Sequence, residues 1–356
     1  MKLEDYYIKK AKEIHHASLV VDTHLDLAGE LVYRLRNGEE NPLRDIYLPV
    51  FRKGGFDLIV SSVYLQDHEL PEGGLRAALE QIVVLKEQIR KNPEFLEIRS
   101  VEDLDRCLEE HLIGIILYME GLDCIGSDAR LLTALWELGV RGASLTWSRR
   151  NLLASGCCKA SECYEIQGGL SPEGFDVVRE MERLGMFVDV SHLNDDGFEH
   201  IRETAVRPFM ATHSNSREVS FNYRNLTDTQ MQILADQGGL AGLNGCVRLV
   251  SETAEEECPD ENGVYCLEKL CMHVEHMVEV MGPEHVGYGF DFCDSYTAAE
   301  RMAEGQPHYA DCLLNHGNVP LLTAALLQRG MDEEAVRKIV GENFVQYFRK
   351  MLPKTS

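Results

Sequence analysis

The sequence predicts an α/β fold: one (β/α)8 barrel spanning residues 1–356, with a rim insertion after its fourth strand. Three observations predict it. Eight short apolar runs alternate with segments of helical period. The runs are continuously apolar, as strands of a parallel sheet covered on both faces must be. Polar, chemistry-bearing residues fall at the C-terminal ends of several runs, where a barrel of this kind gathers its site from all around the rim. An open doubly wound sheet is the competing architecture. It would gather its site at one switch point, and the first run here is followed by no glycine-rich phosphate loop.

In chain order, residues 1–17 read as a short amphipathic helix that leads into the first run, 18–25 (SLVVDTHL). The others are 56–65, 113–120 (IGIILYME), 140–147, 186–192 (MFVDVSH), 207–213 (RPFMATH), 239–245 and 285–292 (HVGYGFDF). Helical periodicity covers 74–91, 127–138, 173–184, 195–204, 227–237 and 265–281. Ser127-Asp128 and Ser171-Pro172-Glu173 place capping chemistry ahead of two of these helices. The segment 148–170 is long and lacks helical pattern, so it reads as a rim or lid loop over the active face.

Composition narrows the partners. Thirty-five Lys and Arg against 59 Asp and Glu give a net charge of −24. That field repels phosphate backbones and anionic lipid, so neither nucleic acid nor a membrane is expected as a partner. The N-terminus has no signal-like apolar stretch, and no run approaches the 18 apolar residues of a membrane span, so a cytoplasmic location is expected. Eleven cysteines, an odd number, are expected to be reduced thiols. The spacing of Cys157, Cys158 and Cys163 matches no common zinc motif, and they read as ordinary loop thiols.

The chemistry begins at His24-Leu25-Asp26. Side chains two apart on a strand share a face, so an imidazole and a carboxylate converge there, a donor pair that suits zinc. Glu120 ends the very apolar IGIILYM, where an unpaired charge would be costly. His192 and His213 end two further runs, and Asp291 lies near the end of the last. Three histidines, an aspartate and a glutamate exceed one tetrahedral shell with an open position. Two ions use them naturally: His24, Asp26 and a bridging Glu120 on one, with Glu120, His192 and His213 on the other. Such a pair shares a hydroxide nucleophile, leaving Asp291 to take its proton and pass it to the leaving amine.

With these residues placed, the sequence resembles the membrane (renal) dipeptidase family of binuclear zinc hydrolases, from about residue 18 to about residue 348. The motifs that carry the resemblance are VDTHLDLA, YMEGLD, GGLSPEGFDVVREMERLGMFVDVSH, ATHSNSREV, YRNLTD, VGYGFDF and GENFVQYF. The resemblance implies the same five zinc ligands with Glu120 bridging, and Asp291 as the catalytic aspartate. It further implies that Arg224 holds the carboxylate of a dipeptide substrate, a task that suits a guanidinium fork, and that a D-residue is tolerated at that position. Three positions depart from the family pattern. Trp147 stands where the best-known members have a substrate-facing histidine, Gly245-Cys246 where an aromatic pair is often found, and Cys293 where a polar residue sits. Trp147 can donate one hydrogen bond or cap the barrel mouth, but it cannot act as a base. The expected partner is a dipeptide, and a homodimer is the assembly considered. Two rival readings keep the same residues: a metal amidohydrolase acting on another small amide, acyl amino acid or lactone, and a non-catalytic metal-stabilised binding protein.

Overall fold

The computed structural model describes residues 1–157, 167–253, 257–293 and 311–354. Among these residues eight strands are formed: β1 (Val21–Leu25), β2 (Leu58–Tyr64), β3 (Phe95–Glu97), β4 (Ile113–Glu120), β5 (Val140–Ser144), β6 (Phe187–Asp189), β7 (Ala241–Leu243) and β8 (Val286–Tyr288). The first sheet is parallel and runs β1-β2-β4-β5-β6, with β3 beside β4; β7 and β8 form a second parallel pair. Isolated parallel bridges link Asp189 to Met210, Ala211 to Ala241 and Leu25 to Phe292. The result is a curled parallel α/β sheet with helices on its outer face.

Side-chain parity divides the apolar core. Ile59 and Val63 of β2, with Ile113, Ile115, Leu117 and Met119 of β4, pack outward into the cluster shared with the helices. Leu58, Val60, Ile116 and Tyr118 point the other way, joining Val21, Phe187, Met210 and Leu240. Helix Asn343–Met351 packs Phe344, Val345 and Phe348 against this second set. Glu120 shares the parity of Ile116 and Tyr118, so the strand's alternation carries it to the interior face.

Several helices follow the expected spans closely. Helix Gly74–Lys91 buries Ala77, Ala78, Gln81, Ile82, Leu85, Gln88 and Ile89, one face at helical spacing. Pro172–Leu184 begins with Ser171 accepting the Gly174 N–H, and Gly185 at φ 78 ends it in the left-handed conformation that glycine adopts without penalty. The expectation at Ser127-Asp128 fails. Asp128 turns back to accept the Arg130 N–H at 3.1 Å, and the helix starts only at Leu131.

Two strand expectations also need correction. The run 207–213 forms no regular strand, and β3 lies outside all the expected runs. At 207–213, Pro208 has no N–H to give. The Thr212 N–H goes instead to the Asp189 carboxylate (2.8 Å), and that of His213 to Ser191 Oγ (3.1 Å). The same substitution shortens other strands: Asp22 accepts the Phe290 N–H (2.9 Å) and Asn215 the Asn244 N–H (2.9 Å). Buried side chains thus take backbone donors where ladders would otherwise continue, and these handover points rim one end of the sheet.

Two buried histidines, His15 and His273, contribute to the response to acid. His15 bridges the Gly54 carbonyl (2.6 Å) and Thr323 Oγ1 (2.7 Å), and burial lowers its pKa to about 4. His273 is likewise lowered to about 4 by burial. Each stays neutral in the folded chain while the unfolded chain takes up a proton near pH 6.5. Their stability is therefore complete above pH 6.5 and lost as pH falls towards 4, at a cost on the order of 3 kcal/mol per histidine. Asp57 runs the other way. Burial raises it to about 6, so its contribution is present below pH 4 and lost as pH rises towards 6. Urea midpoints measured from pH 7 to pH 4 should fall less steeply for His15→Gln than for the wild type. An identical slope would show that His15 is not the group responsible.

Candidate metal centre

The rim gathers side chains from residues 24 to 291. Asp26 lies just past β1, as the first residue ahead of helix Leu27–Arg36, and the β1–β2 register shifts between Asp22 and Leu25. His24 and Asp26 therefore meet through a strand end that peels away, rather than along a regular strand. Their Nε2 and Oδ1 atoms are 3.8 Å apart. Glu120 Oε1 lies 2.8 Å from His192 Nε2, 3.4 Å from His213 Nε2 and 3.5 Å from His24 Nε2. Asp291 Oδ1 is 3.8 Å from His24 Nε2. Among the described residues, ligand-type atoms within 4.8 Å of one another form three groups: His24, Asp26 and Glu120; Glu120, His192 and His213; and His24, His213 and Asp291.

Each of these side chains is held from behind. Ser62 Oγ donates a hydrogen bond to Asp26 Oδ1. Ser148 Oγ is 2.9 Å from His192 Nδ1, and Thr212 Oγ1 is 2.6 Å from His213 Nδ1. Asn244 donates to Asp291 Oδ2 at 3.1 Å. Asp291 itself has φ 60, an uncommon left-handed backbone that Asp tolerates better than most residues and that recurs at functional sites. Ser62, Ser148, Thr212 and Asn244 escaped the sequence reading because nothing distinguishes a short polar residue that supports a ligand from one in a turn. Asp189, buried in FVDVSH and bonded to Thr212, could have been found by the reasoning applied to Glu120.

The electrostatics favour cations. Burial opposes ionisation of Glu120, yet His24 and the other two imidazoles hold its carboxyl well below the usual range. Burial, aided by Glu120, pushes Asp26 well above it, and burial also raises Asp291. Burial would lower His24, but Glu120, Asp291 and Asp26 outweigh it and hold the imidazole up at about 10. His213 is lowered well below its ordinary value, first by burial and then by His24 and Arg224. The Nε2 atoms of His192 and His213 face each other at 3.0 Å, and the buried Nε2 of His24 has no hydrogen-bond partner among the described residues. Three imidazoles and three carboxylates aimed at one small space are a donor set that could hold a divalent metal.

The flanks of the cluster place the remaining expected residues. Arg224 is 6% exposed, and its Nε and Nη1 lie 3.2 Å from His192 Nδ1 and 2.9 Å from Ser214 Oγ. Trp147 is half-buried, with ring centroids 5.7 Å from His192 and 5.3 Å from Tyr64. The Arg149 guanidinium sits 5.5 Å from the Trp147 ring and is tied to Asp123 at 3.2 Å. Cys157 is buried and donates its N–H to the His192 carbonyl at 2.9 Å, whereas Cys158 and Cys163 lie outside the described residues. Gly245 donates its N–H to the Phe290 carbonyl (2.8 Å), and the Cys293 N–H goes to Asp311 (3.0 Å).

A parallel α/β sheet with histidines and carboxylates clustered at the C-terminal ends of its strands has the layout of a metallohydrolase. A family model described as membrane dipeptidase (peptidase family M19) matches residues 8–353, and the chain belongs to that family of metallo-dipeptidases. Among its curated relatives, "Dipeptidase verJ" of Clonostachys rogersoniana is 29% identical over 273 residues, 76% of this chain. "Dipeptidase 3" of Mus musculus is 27% identical over 343 residues, 93% of this chain. The chain spans 64% of the length of each of these two relatives. Among solved structures, a metallo peptidase from Rhodobacter sphaeroides bound to a phosphinate mimic of the dipeptide L-Ala-D-Ala aligns with TM-score 0.80 and 25% identity. That match covers 94% of this chain and 99% of the other. An amidohydrolase from Pseudomonas aeruginosa, at 23% identity, shares the fold with TM-score 0.77, covering 96% of this chain and 99% of the other. No helix among the described residues is long and apolar enough to cross a membrane.

Proposed function

We propose that the chain is one unit, an eight-membered barrel that hydrolyses the peptide bond of dipeptides; the expected rim loop at 148–170 lies partly outside the described residues. The bridges at Asp189–Met210, Ala211–Ala241 and Leu25–Phe292 support ring closure. The observation that carries the catalytic reading is Glu120 Oε1, within 3.5 Å of all three histidine Nε2 atoms, with the Arg224 guanidinium buried beside the same cluster. His24, Asp26 and Glu120 would hold one zinc, and Glu120, His192 and His213 the other. Bound there, such ions supply Lewis acidity and bring the pKa of water towards neutrality.

The chain's own groups do the rest. Arg224 offers a fork that pairs with the C-terminal carboxylate of a dipeptide and orients its scissile bond. Asp291, fixed by Asn244 with its other oxygen towards His24, accepts the proton released from the attacking water and delivers it to the leaving amine. Trp147 and Tyr64 form an aromatic wall that excludes water beside His192. The bound L-Ala-D-Ala mimic in the Rhodobacter structure supports substrates with a C-terminal D-residue.

Zinc-loaded protein is expected to turn over members of a panel of L,L and L,D dipeptides, and no turnover of any of them would sink the proposal. Arg224→Met should raise KM roughly 10- to 100-fold, matching the loss of a charge-assisted pair of about 1.5–3 kcal/mol, with a smaller effect on kcat. Trp147, in the place beside His192, favours a second reading, hydrolysis of small amides or lactones that lack a carboxylate. Those substrates would be indifferent to Arg224→Met.

A further inference from the structure

Thr212 sits at a junction that the catalytic proposal does not use. Its backbone carbonyl accepts the Thr23 hydroxyl at 2.6 Å. Gly242 and Gly289 both crowd that carbonyl so closely that a methyl group on either would collide with it. The residue is thus clamped by its main chain. Thr212 Oγ1 donates to Asp189 Oδ2 at 2.8 Å. Ser191 Oγ donates to the other Asp189 oxygen at 2.7 Å, and Tyr118 OH also donates to Oδ2. Asp189 is wholly buried and, among the described residues, meets donors alone: two hydroxyls besides that of Thr212, and the N–H groups of Ser191 and Thr212.

A hydroxyl has one proton and two lone pairs. With its proton committed to Asp189, Thr212 Oγ1 can only accept from the imidazoles it faces. His213 Nδ1 lies 2.6 Å away and His24 Nδ1 3.5 Å. His213 must then carry hydrogen on Nδ1, and the longer contact orients His24 the same way, so that on each ring Nε2, the atom aimed at Glu120, is the one left to give its lone pair to a metal. We infer that Thr212, backed by Asp189, is the positioning residue that fixes the tautomers of His24 and His213 together, so that one hydroxyl supports both metal positions. The inference rests on the reading of these histidines as ligands. Outer hydrogen-bond partners of this kind typically govern metal affinity about 10- to 100-fold.

The test is titration of chelated full-length protein with Zn2+ and Co2+. Wild type should take up two ions. Thr212→Val, which keeps the shape and loses the hydroxyl, should bind them about 10- to 100-fold more weakly and alter the Co2+ absorption spectrum. Thr212→Ser should restore both. Binding by Thr212→Val within about twofold of wild type, with an unchanged Co2+ spectrum, would overturn the inference. Failure of the wild type to bind any ion would instead overturn the ligand assignment beneath it. A second measurement needs no variant. In the zinc-loaded wild type, imidazole 15N shifts should report hydrogen on Nδ1 of both His24 and His213, and a bare Nδ1 on His213 contradicts the inference.

Discussion

Glu120→Gln is expected to cost more than about a hundredfold in metal affinity and to leave dipeptide hydrolysis near background. Its carboxylate belongs to two of the three donor clusters, as His24 and His213 also do, and all three histidine Nε2 atoms lie within 3.5 Å of one of its oxygens. Loss of a partner that merely supports a ligand costs about 10- to 100-fold, so loss of a charge serving both positions must exceed that. The amide also turns a donor towards imidazole nitrogens that present lone pairs. Metal content after gel filtration and kcat on a dipeptide together check the expectation. Two tightly held ions in the variant would remove Glu120 from the ligand set, and retained activity would remove it from the mechanism.

Asp291→Asn should act on rate rather than assembly, lowering kcat by roughly 10²- to 10⁴-fold, the range of general acid–base catalysis. The substitution preserves shape. The new carbonyl can still accept from Asn244 at the 3.1 Å position, and the left-handed backbone at φ 60 suits Asn as well as Asp. The group facing His24 becomes an amide that cannot carry a proton between water and amine. Steady-state kinetics with metal analysis should show both ions in place and KM little changed. A kcat within tenfold of wild type would assign the proton transfer elsewhere.

The sequence and the structure agree most closely where burial alone dictates the answer. A carboxylate closing IGIILYM has few places to go but a polar site, and β4 delivers Glu120 to the interior by simple alternation. The helices at 74–91 and 195–204 follow from periodicity, and that at 173–184 from periodicity and its Ser171 cap. Agreement is poorest where side chains take over backbone hydrogen bonds. The stretch 207–213 looks like a strand in composition, yet Asp189 and Ser191 capture the N–H groups of Thr212 and His213. No local pattern announces a partner more than twenty residues away. The same limit hid Thr212, Ser148 and Ser62. Arg224 was readable only through the resemblance of YRNLTD, because an arginine in a polar loop has no periodic signal of burial.

Helix Asn343–Met351 has a consequence for how the molecule comes into being. Its Phe344 and Phe348 fill the space between residues as early as Val21 and as late as Leu240. During synthesis every strand emerges before this helix does, and until it arrives the apolar interior faces of β1, β2 and β4 stand open to water. Final consolidation of the sheet therefore waits on a segment some 320 positions after its first strand, and contacts of such sequence separation form slowly. The nascent chain passes through a sticky interval in which the catalytic end can be largely built while the opposite end still lacks its stopper.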